Sequence, residues 1–124
     1  MLGNNDAIAT IAVKKVAAAK HFYEGKLGLT PGRSEEASVL SYKSGGSLIL
    51  VYESQFAGTN QATAVTWIVD DVEAEVRDLK AKGIAFEHYD FPGTTRQGDV
   101  HVAGSRKAAW FKDPDGNILA VVNR

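Results

Sequence analysis

A chain of 124 residues, 44% hydrophobic and 23% charged, has the size and composition of one globular domain or of two small halves sharing a core, and it lacks the ~20-residue apolar run of a membrane span. Its 14 basic and 15 acidic residues leave a formal net charge of -1, with six basic against five acidic residues over 1–56 and eight against ten over 57–124, which excludes a charged tail and the basic face that a nucleic-acid partner needs. With no cysteine, disulfides, Cys-ligated zinc, iron–sulfur clusters and thiol catalysis are excluded together.

The opening residues Met1-Leu2-Gly3-Asn4-Asn5-Asp6 contain no basic region followed by an apolar run, so no signal peptide is expected and the expected location is the cytoplasm. Residues 7–13, apolar and β-branched, predict a buried strand. Val16, Ala19, Phe22, Tyr23 and Leu27 recur at helical spacing and predict a helix over 16–28, stopped by Gly28. Strands are expected near 30–34 and 38–43, then a turn at Ser44-Gly45-Gly46-Ser47 and a strand over 48–53. Residues 54–61 are small and polar and predict a connection.

The pattern then restarts. Residues 62–69 predict a strand. Asp70 and Glu73 predict a capping box for a helix striped by Val72, Val76 and Leu79 and ended by Gly83. A strand over 84–89, a loop over 90–98, strands over 100–103 and 108–111, a turn at Asp113-Pro114-Asp115-Gly116 and a strand over 118–122 complete the chain. A shift of 56 residues aligns Thr10 with Thr66, Val13 with Val69, Val16 with Val72, Ala18 with Ala74 and Lys26 with Lys82. The expected architecture is α+β: a single domain over 1–124, built from two βαβββ repeats at about 7–56 and 62–124 that curl into a half-barrel sheet with a concave cavity.

Three segments carry a family resemblance: residues 11–23 with Leu27-Gly28-Leu29, the junction Val69-Asp70-Asp71-Val72-Glu73, and the hairpin Phe111-Lys112-Asp113-Pro114-Asp115-Gly116-Asn117. They resemble the vicinal oxygen chelate superfamily, which includes glyoxalase I, bleomycin-resistance proteins and extradiol dioxygenases. The resemblance spans nearly the whole chain and speaks for the fold more than for an activity. Lys15 departs from the pattern, since the family often places Asp there. The resemblance implies one divalent metal on the concave face, held by His, Glu or Gln at positions that here fall on Ile8, about Leu50, Ala64 and Ala120. None of these side chains ligates a metal. Neither a metal site nor a cofactor is therefore expected.

Strand alternation puts Ile8, Thr10 and Ala12, then Leu48, Leu50 and Tyr52, then Ala64, Thr66 and Ile68, then Ile118, Ala120 and Val122 on common faces. That composition suits an apolar small-molecule pocket with Thr10, Tyr52 and Thr66 as polar handles, and it equally suits a filled core. The resemblance tips it towards a pocket. The expected ligand-binding residues are Ile8, Thr10, Leu50, Tyr52, Ala64, Thr66, Trp110 and Ala120. Parity turns Trp67 towards the helix and leaves the side of Trp110 open. Phe56 is a candidate lid or dimer contact, and Phe91-Pro92-Gly93-Thr94-Thr95 a candidate pocket rim.

Of the three histidines, His21 reads as a helix-surface residue. His88, with Asp90 as its orienting carboxylate, and His101 on a neighbouring strand are candidates for an acid–base or metal site displaced from the family's usual one. Exposed strand-end residues are the plainer reading of the same three. No HExxH, nucleophile elbow or phosphate-binding glycine loop occurs. Three functions remain. The first is a metal-independent, bleomycin-resistance-like module that binds a small, partly apolar molecule, paired as a homodimer as the resemblance implies. The second is a glyoxalase-like lyase or isomerase using His88 or His101 as base with Tyr52 or Glu53 as partner. The third is a structural protomer with a closed core.

Overall fold

The structure, a computed structural model, describes residues 1–34 and 36–124. Two compact units divide it, Met1–Thr59 and Asn60–Arg124.

In the first unit, β1 (Ala9–Val13) runs parallel to β4 (Ser47–Glu53), which pairs antiparallel with β3 (Val39–Ser44), and β3 with the short β2 (Thr30–Pro31). The β3–β4 hairpin turns at Gly45, whose φ of +56° favours a residue without Cβ. Helix α1 covers only Val16–Lys20 and then widens into a π-helical turn over His21–Lys26. Leu27 N–H there donates to Phe22 O at 3.0 Å. The single helix expected over 16–28 is thus two segments, and the wide turn lies where the adjacent Phe22 and Tyr23 are both buried. The core joins these rings to Ile11, Val13, Ile49 and Val51. Tyr23 stacks on Tyr42 with centroids 6.3 Å apart. The Tyr42 hydroxyl donates to Glu24 Oε2 at 2.7 Å. Burial, and then the Glu24 carboxylate, push the Tyr42 phenol well above its ordinary range.

The second unit orders its sheet β5 (Thr63–Val69), β10 (Ile118–Asn123), β9 (Arg106–Lys112), β8 (Val100–Ala103), β7 (Thr95–Gln97), with β6 (Phe86–Glu87) also on β9. Strand β5 is parallel to β10 and the other pairs are antiparallel. The expected strand over 84–89 shrinks to Phe86–Glu87, and the expected loop over 90–98 contains β7, paired with β8. Helix α2 (Val72–Ala81) packs Val72, Val76 and Leu79 against the sheet, where Ala109, Phe111, Leu119 and Val121 are buried. Its N-cap is Asp71, not Asp70: Asp71 Oδ1 accepts from Ala74 N–H at 3.0 Å. With the cap one residue later, Glu73 falls short of the capping-box position and pairs with Lys107 of β9 instead (2.5 Å). Asp70 is exposed and meets Arg124 at 3.2 Å.

The β9–β10 turn shows why Asp113-Pro114-Asp115-Gly116-Asn117 is a structural motif. Buried Asp113 accepts from Asp115 N–H (3.0 Å), Asn117 N–H (2.8 Å) and Asn117 Nδ2 (2.8 Å), while Gly116 turns at φ +96°. Backbone donors that the turn removes from the ladder are met by one carboxylate. Both units combine mixed strands with a packed helix, an α+β protein of the repeat type the sequence implies.

Candidate functional site

Register decides which side chains meet on the face of the second sheet opposite α2. Across β9 and β10, Trp110 pairs with Ala120 and Ala108 with Val122. On β8, His101 pairs with Ala108 and Ala103 with Arg106, and on β6, Glu87 pairs with Trp110. Cross-strand partners share a face, so Arg106, Ala108, Trp110, His101 and Ala103 all project to the side away from the buried Ala109 and Phe111.

Four rings gather there. Trp110 meets His101 edge-on with centroids 4.9 Å apart, Tyr89 at 5.5 Å and Phe91 at 5.4 Å. Tyr89 and Phe91 are 5.8 Å apart. Such tilted and edge-to-face pairs are the favoured aromatic geometries. Trp110 is tethered at its polar end, where Nε1 donates to Thr63 Oγ1 at 3.2 Å. Beside the rings opens a pocket of about 380 Å³, walled by Phe91, His101, Ala108, Trp110 and Val122 and rimmed by Arg106 and Arg124. Phe91, Thr94 and His101 also border a second hollow of about 330 Å³ under the 91–95 loop.

His101 is only 3% exposed. Its Nε2 accepts the backbone N–H of Tyr89 at 3.0 Å, and its buried Nδ1 has no hydrogen-bond partner among the described residues. His88 lies in a different environment. Its Nε2 bonds Asp99 Oδ1 at 2.7 Å, and Lys80 of α2 donates to the other oxygen of the same carboxylate at 2.6 Å. Those two donors, Lys80 first, hold the Asp99 carboxyl below the usual aspartate range. The carboxylate expected beside His88 was Asp90. The partner is instead Asp99, which the β7–β8 turn brings alongside. Among the described residues, His88 and His101 share no hydrogen-bond partner. Among the described residues, no group of three His, Asp or Glu side chains is placed to hold a metal ion.

The expected ligand-binding residues form two sets. In the first unit, Thr10 aligns with Leu50 across β1 and β4, with Tyr52 two pairs further on, opposite Ala12; Ile8 precedes β1. Ile8 and Tyr52 are 44% and 38% exposed. In the second unit, Thr66, Ala120 and Trp110 form one row across β5, β10 and β9. Ala64 lies at a bulge, because Ile118 pairs with Thr63 and Leu119 with Val65. The metal implied by the resemblance would need nitrogen or oxygen donors at Ile8, Leu50, Ala64 and Ala120. Hydrocarbon side chains there do not fit a cation. Trp67 pairs with buried Val121, on the α2 side of its sheet. His21 and Phe56 are exposed. Arg106 and Arg124 escaped the sequence reading; the only local signal was the basic hairpin Gly104-Ser105-Arg106-Lys107.

Among curated proteins no relative matches the chain. Solved structures do. A glyoxalase family protein from Enterococcus faecalis superposes with a TM-score of 0.74 at 22% identity, over 98% of this chain and 99% of that one. The genomically encoded fosfomycin resistance protein of Listeria monocytogenes gives 0.72 at 14% identity, over 97% and 93%. Lactoylglutathione lyase from Agrobacterium tumefaciens gives 0.70 at 17%, over 96% and 92%. These likenesses establish the fold. The sequence pattern of a family matches residues 6–121, nearly the full chain, and on that match the chain belongs to the Glyoxalase/Bleomycin resistance protein/Dioxygenase superfamily.

Proposed function

We propose that the protein is a metal-independent binding module of this superfamily, taking a small, partly apolar molecule on the strand face of its second unit. The pocket of about 380 Å³ beside Trp110, Phe91 and His101 carries the reading. Its volume and aromatic walls suit a ligand of one or two rings. Metal independence is supported by the chemistry of Ile8, Leu50, Ala64 and Ala120, which offer no donor atom. Catalysis by His88 and His101 together finds less support, since one bonds Asp99 and the other the backbone of Tyr89. Two chains pair as a homodimer in this reading, in keeping with the exposed Ile8, Leu48, Tyr52 and Ile68.

The test is metal loading followed by binding. Untagged protein is incubated with Mn, Fe, Ni and Zn salts, desalted and assayed by mass spectrometry for metal per chain, and an aromatic probe is titrated with and without a chelator. Near-zero metal and chelator-insensitive, saturable binding are expected. Stoichiometric metal, or binding abolished by the chelator, would overturn the reading. Light scattering that gave the mass of one chain would remove the dimer.

A further inference from the structure

The pocket beside Trp110 and the hollow under the 91–95 loop share a wall, because Phe91, Thr94 and His101 line both. The three differ in reach. His101 is buried and tied to the Tyr89 amide through Nε2. Thr94 is short, and its N–H donates to Phe91 O at 3.2 Å. Phe91 has the largest side chain of the three and is 46% exposed.

The backbone beneath that ring is held at its tip and at both ends. Pro92 and Gly93 take the central positions of the turn that the Thr94–Phe91 bond closes, with Gly93 at φ +77°, the pattern of a type II turn. The ends of the segment are joined twice, by His88 Nε2 to Asp99 Oδ1 at 2.7 Å and by Tyr89 N–H to His101 Nε2 at 3.0 Å. The ring itself packs on Trp110, Tyr89 and His101, with centroids 5.4, 5.8 and 6.1 Å away. Swinging it aside forfeits three aromatic contacts. It is therefore a fixed partition.

Size follows from the partition. The pocket holds about 380 Å³ and the hollow about 330 Å³, each near the lower end for small-molecule sites, and joined they would offer roughly twice the space of either.

The geometry points to Phe91 as the residue that sets ligand size: its ring limits the pocket to planar molecules of one or two fused rings, and its removal opens the space under the 91–95 loop to longer ones. This rests on the binding reading above and assigns that pocket its upper size limit.

The test titrates naphthalene-2-methanol and pyrene-1-methanol, two and four fused rings bearing the same substituent, and follows probe fluorescence. Unaltered protein is expected to bind the naphthalene probe about tenfold more tightly, against the trend of apolar area, because the longer probe meets the partition. Phe91→Ala should reverse the order, with pyrene-1-methanol gaining about tenfold. Phe91→Leu, which keeps a bulky partition, should fall between the two. The ranking on unaltered protein decides the matter even if a variant misfolds. Pyrene-1-methanol binding unaltered protein as tightly as the smaller probe, or a folded Phe91→Ala that binds the naphthalene probe without gaining the pyrene probe, would overturn the partition and leave the pocket. Binding of neither probe to any of the three proteins would overturn both.

Discussion

The backbone N–H of Tyr89 donates to Nε2 of His101 at 3.0 Å, so a buried imidazole closes the gap where the short β6 strand ends and the 90–98 segment begins. Ladder bonds stop at Glu87, and the freed amide is satisfied by a side chain from β8 instead. The same ring packs against Trp110, Tyr89 and Phe91. One residue thus supports the loop and walls the pocket.

His101→Ala removes that ring and strands the Tyr89 amide. Urea unfolding should show a loss of about 2–4 kcal/mol, the sum of a cavity and an unpaired buried donor. His101→Gln should lose less than half as much. Equal losses in the two variants would mean that the Tyr89 bond contributes nothing.

Trp110 is the chromophore at the pocket, whereas Trp67 sits on the α2 side of β5 beside Val121. Quenching of tryptophan emission by an aromatic probe that fills the pocket should therefore survive Trp67→Phe and vanish in Trp110→Phe. The opposite pattern would place the ligand elsewhere.

Asp99 links Lys80 of α2 to His88 after β6. Its carboxyl is held below the ordinary value of 3.8, mainly by Lys80. The folded state then binds that proton more weakly than the unfolded chain, so the pair stabilises fully at neutral pH and is lost as pH falls below about 3.8 through the lowered value. Asp99→Asn should cost about 1 kcal/mol or less at pH 7, as for other largely surface pairs, and the gap to the unaltered protein should close in acid. A gap that held constant down to pH 2 would sink the assignment.

The helix cap separates two adjacent aspartates. Asp71→Ala should cost about 1 kcal/mol, while Asp70→Ala, which removes only the exposed contact with Arg124, should stay within about 0.5 kcal/mol. Thermal unfolding of the two variants decides it.

Local pattern carried the sequence reading a long way. Strands β1, β4, β5 and β10 and helix α2 appear where hydrophobic period and flanking glycines place them, because burial of one face is written into consecutive residues. The Asp113–Asn117 turn is equally local, its carboxylate closing on amides two and four residues ahead. The cap of α2 falls one residue later than the local pattern suggests, because either of the adjacent aspartates Asp70 and Asp71 offers a capping carboxylate. Only the backbone entry angle makes Asp71 the residue whose oxygen meets Ala74 N–H.

The repeat, the alternating strand faces, the apolar sets of both units and the lack of donor atoms at Ile8, Leu50, Ala64 and Ala120 are legible in the order of residues alone. The tertiary structure decided that His88 meets Asp99 and not Asp90, that His101 accepts from Tyr89, and that Trp110, Phe91 and Arg106 share its pocket. Side-chain parity along a strand is a property of neighbouring residues, readable as period two. Which strands pair, and in which register, depends on the packing of distant segments, and a shift of one residue turns a whole row to the other face.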